Sequence, residues 1–149
     1  MNHDLSGLPD PELDTQFYSG VVIKRFIAWI IDFVIITAIW TATIVFSLGF
    51  AAFFAFFIYV VINFAYRAIM LDKYSATLGM KLVGIEIRNA NGYKLDRSQA
   101  CWHVGMYMFM VMFFIINVIS MAMMLFSPRG QGLHDYFLGT AAINKPLDG

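Results

Sequence analysis

Three long apolar runs occupy about residues 21–48, 49–71 and 101–126, and together they carry a single acid, Asp32. Crossing ~30 Å of hydrocarbon at ~1.5 Å per residue takes roughly 20 apolar residues, and the first two runs reach that length. Hydrophobic residues make up 60% of the chain and charged ones 13%, against ~45–50% and ~25% in an ordinary soluble domain. The excess sits in blocks instead of an amphipathic pattern, so the lipid bilayer is the expected solvent.

Ser47-Leu48-Gly49 separates the first two runs without a charge, which predicts an antiparallel transmembrane helical hairpin. The polar loop 72–97 carries Lys73, Lys81, Arg88, Lys94 and Arg97. Lys24 and Arg25 open the first run and Arg67 lies near the end of the second, while the 47–49 link has no basic residue. Basic residues favour the cytoplasmic side. The N-terminus and the 72–97 loop are therefore expected in the cytoplasm, with the chain in the cell (inner) membrane.

Within that loop, Leu82 to Arg88 alternates apolar with polar or small residues. Asn89-Ala90-Asn91-Gly92 gives a turn signal and Tyr93-Lys94-Leu95 can return, so a small cytoplasmic β-hairpin is expected. The third run, Cys101 to Phe126, reads two ways. A single crossing would leave the tail outside. A bent or re-entrant helix pair around Asn117–Ser120 would return it to the cytoplasm, where Thr140–Ile143 could join the hairpin as an edge strand; this second reading is preferred. The expected fold class is thus all-α membrane, with a small β element. Residues 1–20 read as a flexible polar lead, 21–144 as the membrane domain and 145–149 as a tail.

The lead MNHDLSGLPDPELDTQFYSG is acidic and lacks both a basic start and a short apolar core, so it does not read as a secretion signal. The first helix is expected to serve as its own insertion signal. Net charge is zero, which predicts no nucleic-acid partner. The lone Cys101 excludes an intramolecular disulfide and reads as packing.

A carboxylate in hydrocarbon costs a few kcal/mol unless it is paired, protonated or hydrated. Arg25, Ala28 and Asp32 stand at i, i+3 and i+7, hence on one helix face. Asp32 lies about two turns, roughly 10 Å, deeper than Arg25. Folding the hairpin about its link sets Asp32 level with Asn63, Tyr66 and Arg67, with Tyr59 a turn farther, and sets Arg25 level with Asp72. A two-rung ladder is expected, Asp32 with Arg67 and Arg25 with Asp72. The cluster serves to fix helix register, or as a proton or cation site coupled to movement of the hairpin, or as a contact for a lipid headgroup or a partner helix.

Met106, Met108, Met110, Met112, Met121, Met123 and Met124 invite a copper reading. Spacings of i, i+2 send side chains to opposite helix faces, so they read as lipid-facing or packing residues. His103 stands alone beside Trp102, a candidate interfacial anchor, and His134-Asp135 has no further ligands in sequence. No metal site and no cofactor is expected. Without a nucleophile elbow, phosphate loop or dinucleotide fingerprint, the chain does not read as an enzyme.

Three pieces together resemble the RDD family of small bacterial membrane proteins. Tyr18-Ser19-Gly20 followed by Arg25-Phe26-Ile27-Ala28-Trp29-Ile30-Ile31-Asp32 is similar to that family's opening helix. Ser75-Ala76-Thr77-Leu78-Gly79-Met80-Lys81-Leu82-Val83-Gly84-Ile85, with Asn91-Gly92 after it, looks like its loop and following strand. Arg129-Gly130-Gln131-Gly132-Leu133-His134-Asp135, leading to Gly139-Thr140, is similar to its closing pattern. The resemblance maps the eponymous arginine and two aspartates onto Arg25, Asp32 and Asp135, and a loop motif onto Thr77, Gly79 and Lys81. One departure is Met80 directly after Gly79, where the family pattern has lysine. If Asp135 acts with Arg25, the tail lies on Arg25's side of the membrane. The resemblance implies a largely unassigned role, with transport, including sodium/proton antiport, suggested for some members. So few spans cannot enclose a pathway, so transport would require a homo-oligomer or a partner membrane protein. The other class left open is a non-catalytic scaffold that binds partners through the loop element and the polar hairpin face.

Overall fold

The computed structural model describes residues 6–145. The outermost parts of the expected lead and tail, residues 1–5 and 146–149, lie outside it. Helix α1 (Val21–Phe46) and helix α2 (Ala55–Tyr74) form the hairpin, and both are long and apolar enough to cross a membrane. Their link includes a short 3-10 helix at Phe50–Phe54. Leu48 and Gly49 take left-handed backbone there, so the reversal closes in a few residues.

After α2 the chain stops at Ser75, itself left-handed, and enters helix α3 (Leu78–Val83). The side chain of Thr77 caps α3 by accepting from the Met80 N–H. Strand β1 (Ile85–Arg88) follows. Leu82 and Val83, expected at the start of the strand, are helical instead, because the Thr77 cap and Gly84 in left-handed conformation bound a helical turn there.

The sheet keeps the tail strand expected at Thr140–Ile143 and loses the expected hairpin return. β1 pairs antiparallel with strand β2 (Ala141–Asn144), from Ile85 opposite Asn144 to Arg88 opposite Ala141. The expected hairpin return at 93–95 reduces to one isolated bridge, Arg88 with Lys94. Burial explains the choice. Ala141, Ala142 and Ile143 are fully buried, whereas Tyr93 and Lys94 are exposed and bring little apolar surface.

The third apolar run is a bent pair, helix α4 (Arg97–Val111) and helix α5 (Phe114–Phe126), turned by 119°. The break falls at Met112–Phe113, ahead of the expected Asn117–Ser120. Asp96 and Gln99 form a reciprocal capping box at the start of α4. Helix α6 (Leu133–Leu138) then leads into β2.

The packed core gathers Val21, Ala68, Leu71, Ile85, Ile87, Leu95, Ala100, Val104 and Ala142, at the end of the hairpin where the sheet lies. The opposite end is bare: Phe46, Phe53, Phe56 and Phe57 are all exposed, as lipid-facing residues should be. Residues 6–20 are not a free lead. Leu8 is buried, Tyr18 donates to the Pro9 carbonyl at 2.8 Å, and Asn144 donates to the carbonyls of Gln16 and Ser19, each at 2.8 Å. Cys101, expected as packing, is exposed.

Candidate functional site

The buried stripe of α1 runs through Val21, Ala28, Asp32 and Ile36. This is the face expected to carry the acid. Asp32 is almost fully enclosed. Its Oδ1 accepts from the Tyr66 hydroxyl at 2.7 Å and from the Gly79 N–H at 3.0 Å. Its Oδ2 accepts from the Thr77 hydroxyl at 2.6 Å, and Arg67 Nη1 stands 3.7 Å away. Arg67 is positioned from behind by Asn63, whose Oδ1 accepts from Nε at 2.8 Å. Tyr66 also accepts from the Leu78 N–H at 3.2 Å, tying α2 to α3.

Glycine at position 79 is a packing requirement. A Cβ there would collide with the carbonyl of Ala28, so only glycine lets α3 come close enough for its N–H to reach Asp32. The short loop motif therefore clamps the acid from above, while the hairpin supplies Tyr66 and Arg67 from the side. Lys81 takes no part; its ammonium sits 3.3 Å from the centroid of the Tyr74 ring.

A second cluster centres on Asp135, which is completely buried. Arg25 Nη1 lies 2.7 Å from its Oδ2, and the Gly132 N–H donates to the same oxygen at 3.1 Å. His103 Nε2 lies 2.9 Å and the Thr140 hydroxyl 2.9 Å from Oδ1. Arg25 Nη2 faces His134 Nε2 at 3.4 Å. A guanidinium only donates, so that nitrogen accepts and the His134 proton belongs on Nδ1. Burial pushes the His134 imidazole down to about 3. Burial works against the charge of Asp135 as well, yet the Arg25 guanidinium together with His134 and His103 outweighs it and holds this carboxyl well below the usual carboxylate range.

Of the expected ladder, the rung Asp32–Arg67 is present, in a looser form than the hydrogen bonds around it. The rung Arg25–Asp72 is not. Arg25 turns to Asp135, and Asp72 pairs with the exposed Arg97 at 3.3 Å. Matched depth could not tell which way Arg25 leans. Tyr59 packs edge-on against Trp40, away from both clusters.

His103, read as solitary, is the residue sequence reasoning missed. A signal does exist: Ala100, His103 and Val104 share the buried face of α4, and Tyr107 follows one turn on. His103, His134 and Asp135 offer ligand atoms within 4.8 Å of one another. Arg25 already occupies the cation's side of that group, so a divalent ion would have to displace a guanidinium.

Both clusters meet one cavity of about 540 Å³, lined by α1, α2, α3, α6 and the bent pair α4–α5. Arg25, Asp32, Arg67, Thr77, His103, Asn117 and His134 line it with polar groups. Phe26, Trp29, Val111, Met121, Met124 and Leu125 give it apolar walls. Trp29 bridges the mouth by donating to the Tyr107 hydroxyl at 2.8 Å.

A family model described as the RDD family matches residues 20–139. That interval includes every cluster residue named above except Thr140. No curated protein and no solved structure matches.

Proposed function

The chain belongs to the RDD family, and from that premise we propose that it is a non-enzymatic membrane protein serving transport of a small solute or ion. The cavity that meets both clusters is the solute's site. The observation that carries this is a volume of about 540 Å³, within the ~300–1,000 Å³ of sites that enclose small molecules, lined by both charged clusters and by apolar walls. A single copy has too few crossings to enclose a pathway, so the transporting unit is a homo-oligomer or a complex with a larger membrane protein.

Cation/proton exchange at Asp32 is one form of this reading. Against it stands the occupancy of the carboxylate, whose two oxygens already take three hydrogen bonds within 3.0 Å. The one acceptor position left, on Oδ2, faces the Arg67 guanidinium at 3.7 Å, which an incoming cation would have to displace. The scaffold alternative has less support from the geometry. The β element is buried, and the polar face of the hairpin is taken up by α3.

Reconstitution of the full chain in vesicles, with a pH-sensitive dye and an array of cations and small organic solutes, tests the proposal. Flux is expected in the parent protein and should fall at least tenfold in Val111→Phe, which fills the cavity. Flux indifferent to that filling would remove the cavity from the pathway, and its absence in the parent would remove transport. Asp32→Asn that folds normally but loses only cation-dependent proton flux would make Asp32 the ion site. Stable co-purification of another membrane protein, lost when the 72–97 loop is altered, would favour the scaffold.

A further inference from the structure

We infer that the solute is a single-chain amphiphile with a carboxylate head, drawn from the membrane and seated head-first on Arg67. This rests on the reading of the cavity as a solute site and adds the chemical class. The argument is a count of donors and acceptors. Asp32 turns both oxygens onto Tyr66, Thr77 and Gly79. Asp135 turns both of its own onto Arg25, His103, Gly132 and Thr140. All four acceptor positions of Asp135 are thus taken and Asp32 keeps one, on the Oδ2 that already faces Arg67, so these acids offer little to a cationic or donor-rich solute.

Arg67 is the opposite case. Its Nε is engaged by Asn63, but Nη1 lies 3.7 Å from Asp32, beyond hydrogen-bond reach. Among the described residues, no hydrogen bond reaches either terminal nitrogen. The side chain is only 9% exposed, and what remains open faces the cavity. The Tyr107 ring, 4.9 Å from the guanidinium carbon, holds its position. Arg67 is thus ion-paired with Asp32 yet keeps terminal N–H groups without a hydrogen-bond acceptor, and a guanidinium fork matches a carboxylate in two parallel bonds. Above this head site the walls are Phe26, Trp29, Val111 and Leu125, each of them exposed. A chain dissolved in lipid can therefore enter between α1 and α5 without crossing water.

Trp29 supplies the readout. Full-length protein in detergent, with Trp40→Phe and Trp102→Phe leaving Trp29 as the one tryptophan, is titrated with brominated decanoate, decanol and decylamine, which quench on contact. Decanoate is expected to quench at a concentration at least tenfold lower than the other two. Arg67→Gln should abolish that preference while quenching by decanol persists. Arg67→Lys, which keeps the charge and loses the fork, should retain part of it and serves if the glutamine variant does not fold. Equal quenching by all three heads, or a preference indifferent to both Arg67 variants, overturns the carboxylate assignment and leaves the solute site standing. Relief of the brominated decanoate's quenching by unbrominated phosphatidylglycerol at a lower concentration than by unbrominated decanoate would make the occupant a membrane phospholipid and overturn the single-chain assignment. No quenching by any probe would remove the solute site itself.

Discussion

Asp32 and Asp135 are both enclosed acids, and the protein holds them by different means. Asp135 has a guanidinium at 2.7 Å, whereas Asp32 relies on donors at 3.0 Å or less from Tyr66, Thr77 and Gly79, with its guanidinium at 3.7 Å. In Asp32→Asn one acceptor oxygen becomes a donor facing donors. Removing one partner of a buried ion pair costs roughly 3–5 kcal/mol, against about 1.5–3 kcal/mol for one hydrogen bond to a charged group. Asp32→Asn should therefore lower the thermal midpoint in detergent further than Tyr66→Phe; equal midpoints would contradict a carboxylate held by all three donors. The second cluster adds a pH dependence. An unfolded His134 takes a proton below its ordinary 6.5, the folded one only near about 3. Between those values the unfolded state binds more protons, so acid favours unfolding by ~1.4 kcal/mol per pH unit. Asp135, held below its ordinary 3.8, contributes stability present above that value and lost as pH falls further. His134→Gln should flatten the midpoint's decline below pH 6.5, and an unchanged slope would exclude this histidine as its source. Helix rise explains what a sequence can say here. It fixes which residues of a hairpin share a level, which reaches Tyr66 and Arg67. Thr77 and Gly79 arrive through a turn, and Asp135 and His103 from far along the chain, so resemblance or the fold itself had to supply them.

At the scale of elements, the bend between α4 and α5 has no local cause in composition. Val111-Met112-Phe113-Phe114 contains neither proline nor glycine, the usual origins of a sharp kink. The bend is held from outside. Ser120 Oγ accepts from the Leu133 N–H at 2.9 Å, one of the unpaired donors at the start of α6. Gly132 lies so close to Ser120 and Met124 that a Cβ would press on both side chains. This is why a break expected near Asn117–Ser120 falls at Met112–Phe113 instead: Ser120 is where the bent arm is fastened, and the fold breaks upstream of the fastening. The strands teach a similar lesson, since alternation marks β1 but says nothing of its partner, which burial selects. Ser120→Ala should cost about 1–3 kcal/mol by leaving that N–H without its acceptor and should let α5 swing from α1. Spin labels at Ile23 and Leu125, both exposed, should report a longer and broader distance distribution in the variant. A distribution identical to the parent's would place the bend's support elsewhere.

For the whole molecule, the two ends differ in kind, and that difference fixes what must share a side of the membrane. The core, the sheet and both charged clusters lie toward one end, while the aromatic tip around Phe46 and Phe53 is bare at the other. Pairing of β1 with β2 binds the 72–97 loop to the tail. Lys24 donates to Asn144 at 2.7 Å, and Arg25 meets Asp135 at the same distance, binding the tail to the start of α1. These contacts can coexist only if loop, tail and the start of α1 lie on one membrane face, which in turn requires α4–α5 to dip and return. By the positive-inside rule, the basic residues of the loop predict that this face is the cytoplasmic one. In a Cys101→Ser background, single cysteines at Tyr93, Lys145 and Leu48, all exposed, test this with a membrane-impermeant maleimide on vesicles of known sidedness. Positions 93 and 145 should label from the cytoplasmic side and position 48 from the other. Labelling of 93 and 145 from opposite sides would turn α4–α5 into a single crossing, and the strand pairing, the Arg25–Asp135 pair and the cavity between α1 and α5 would be lost together. Joint labelling from the outer face would keep all three and reverse only the orientation, because side-chain contacts fix which segments share a face whereas the charge bias alone decides which face it is.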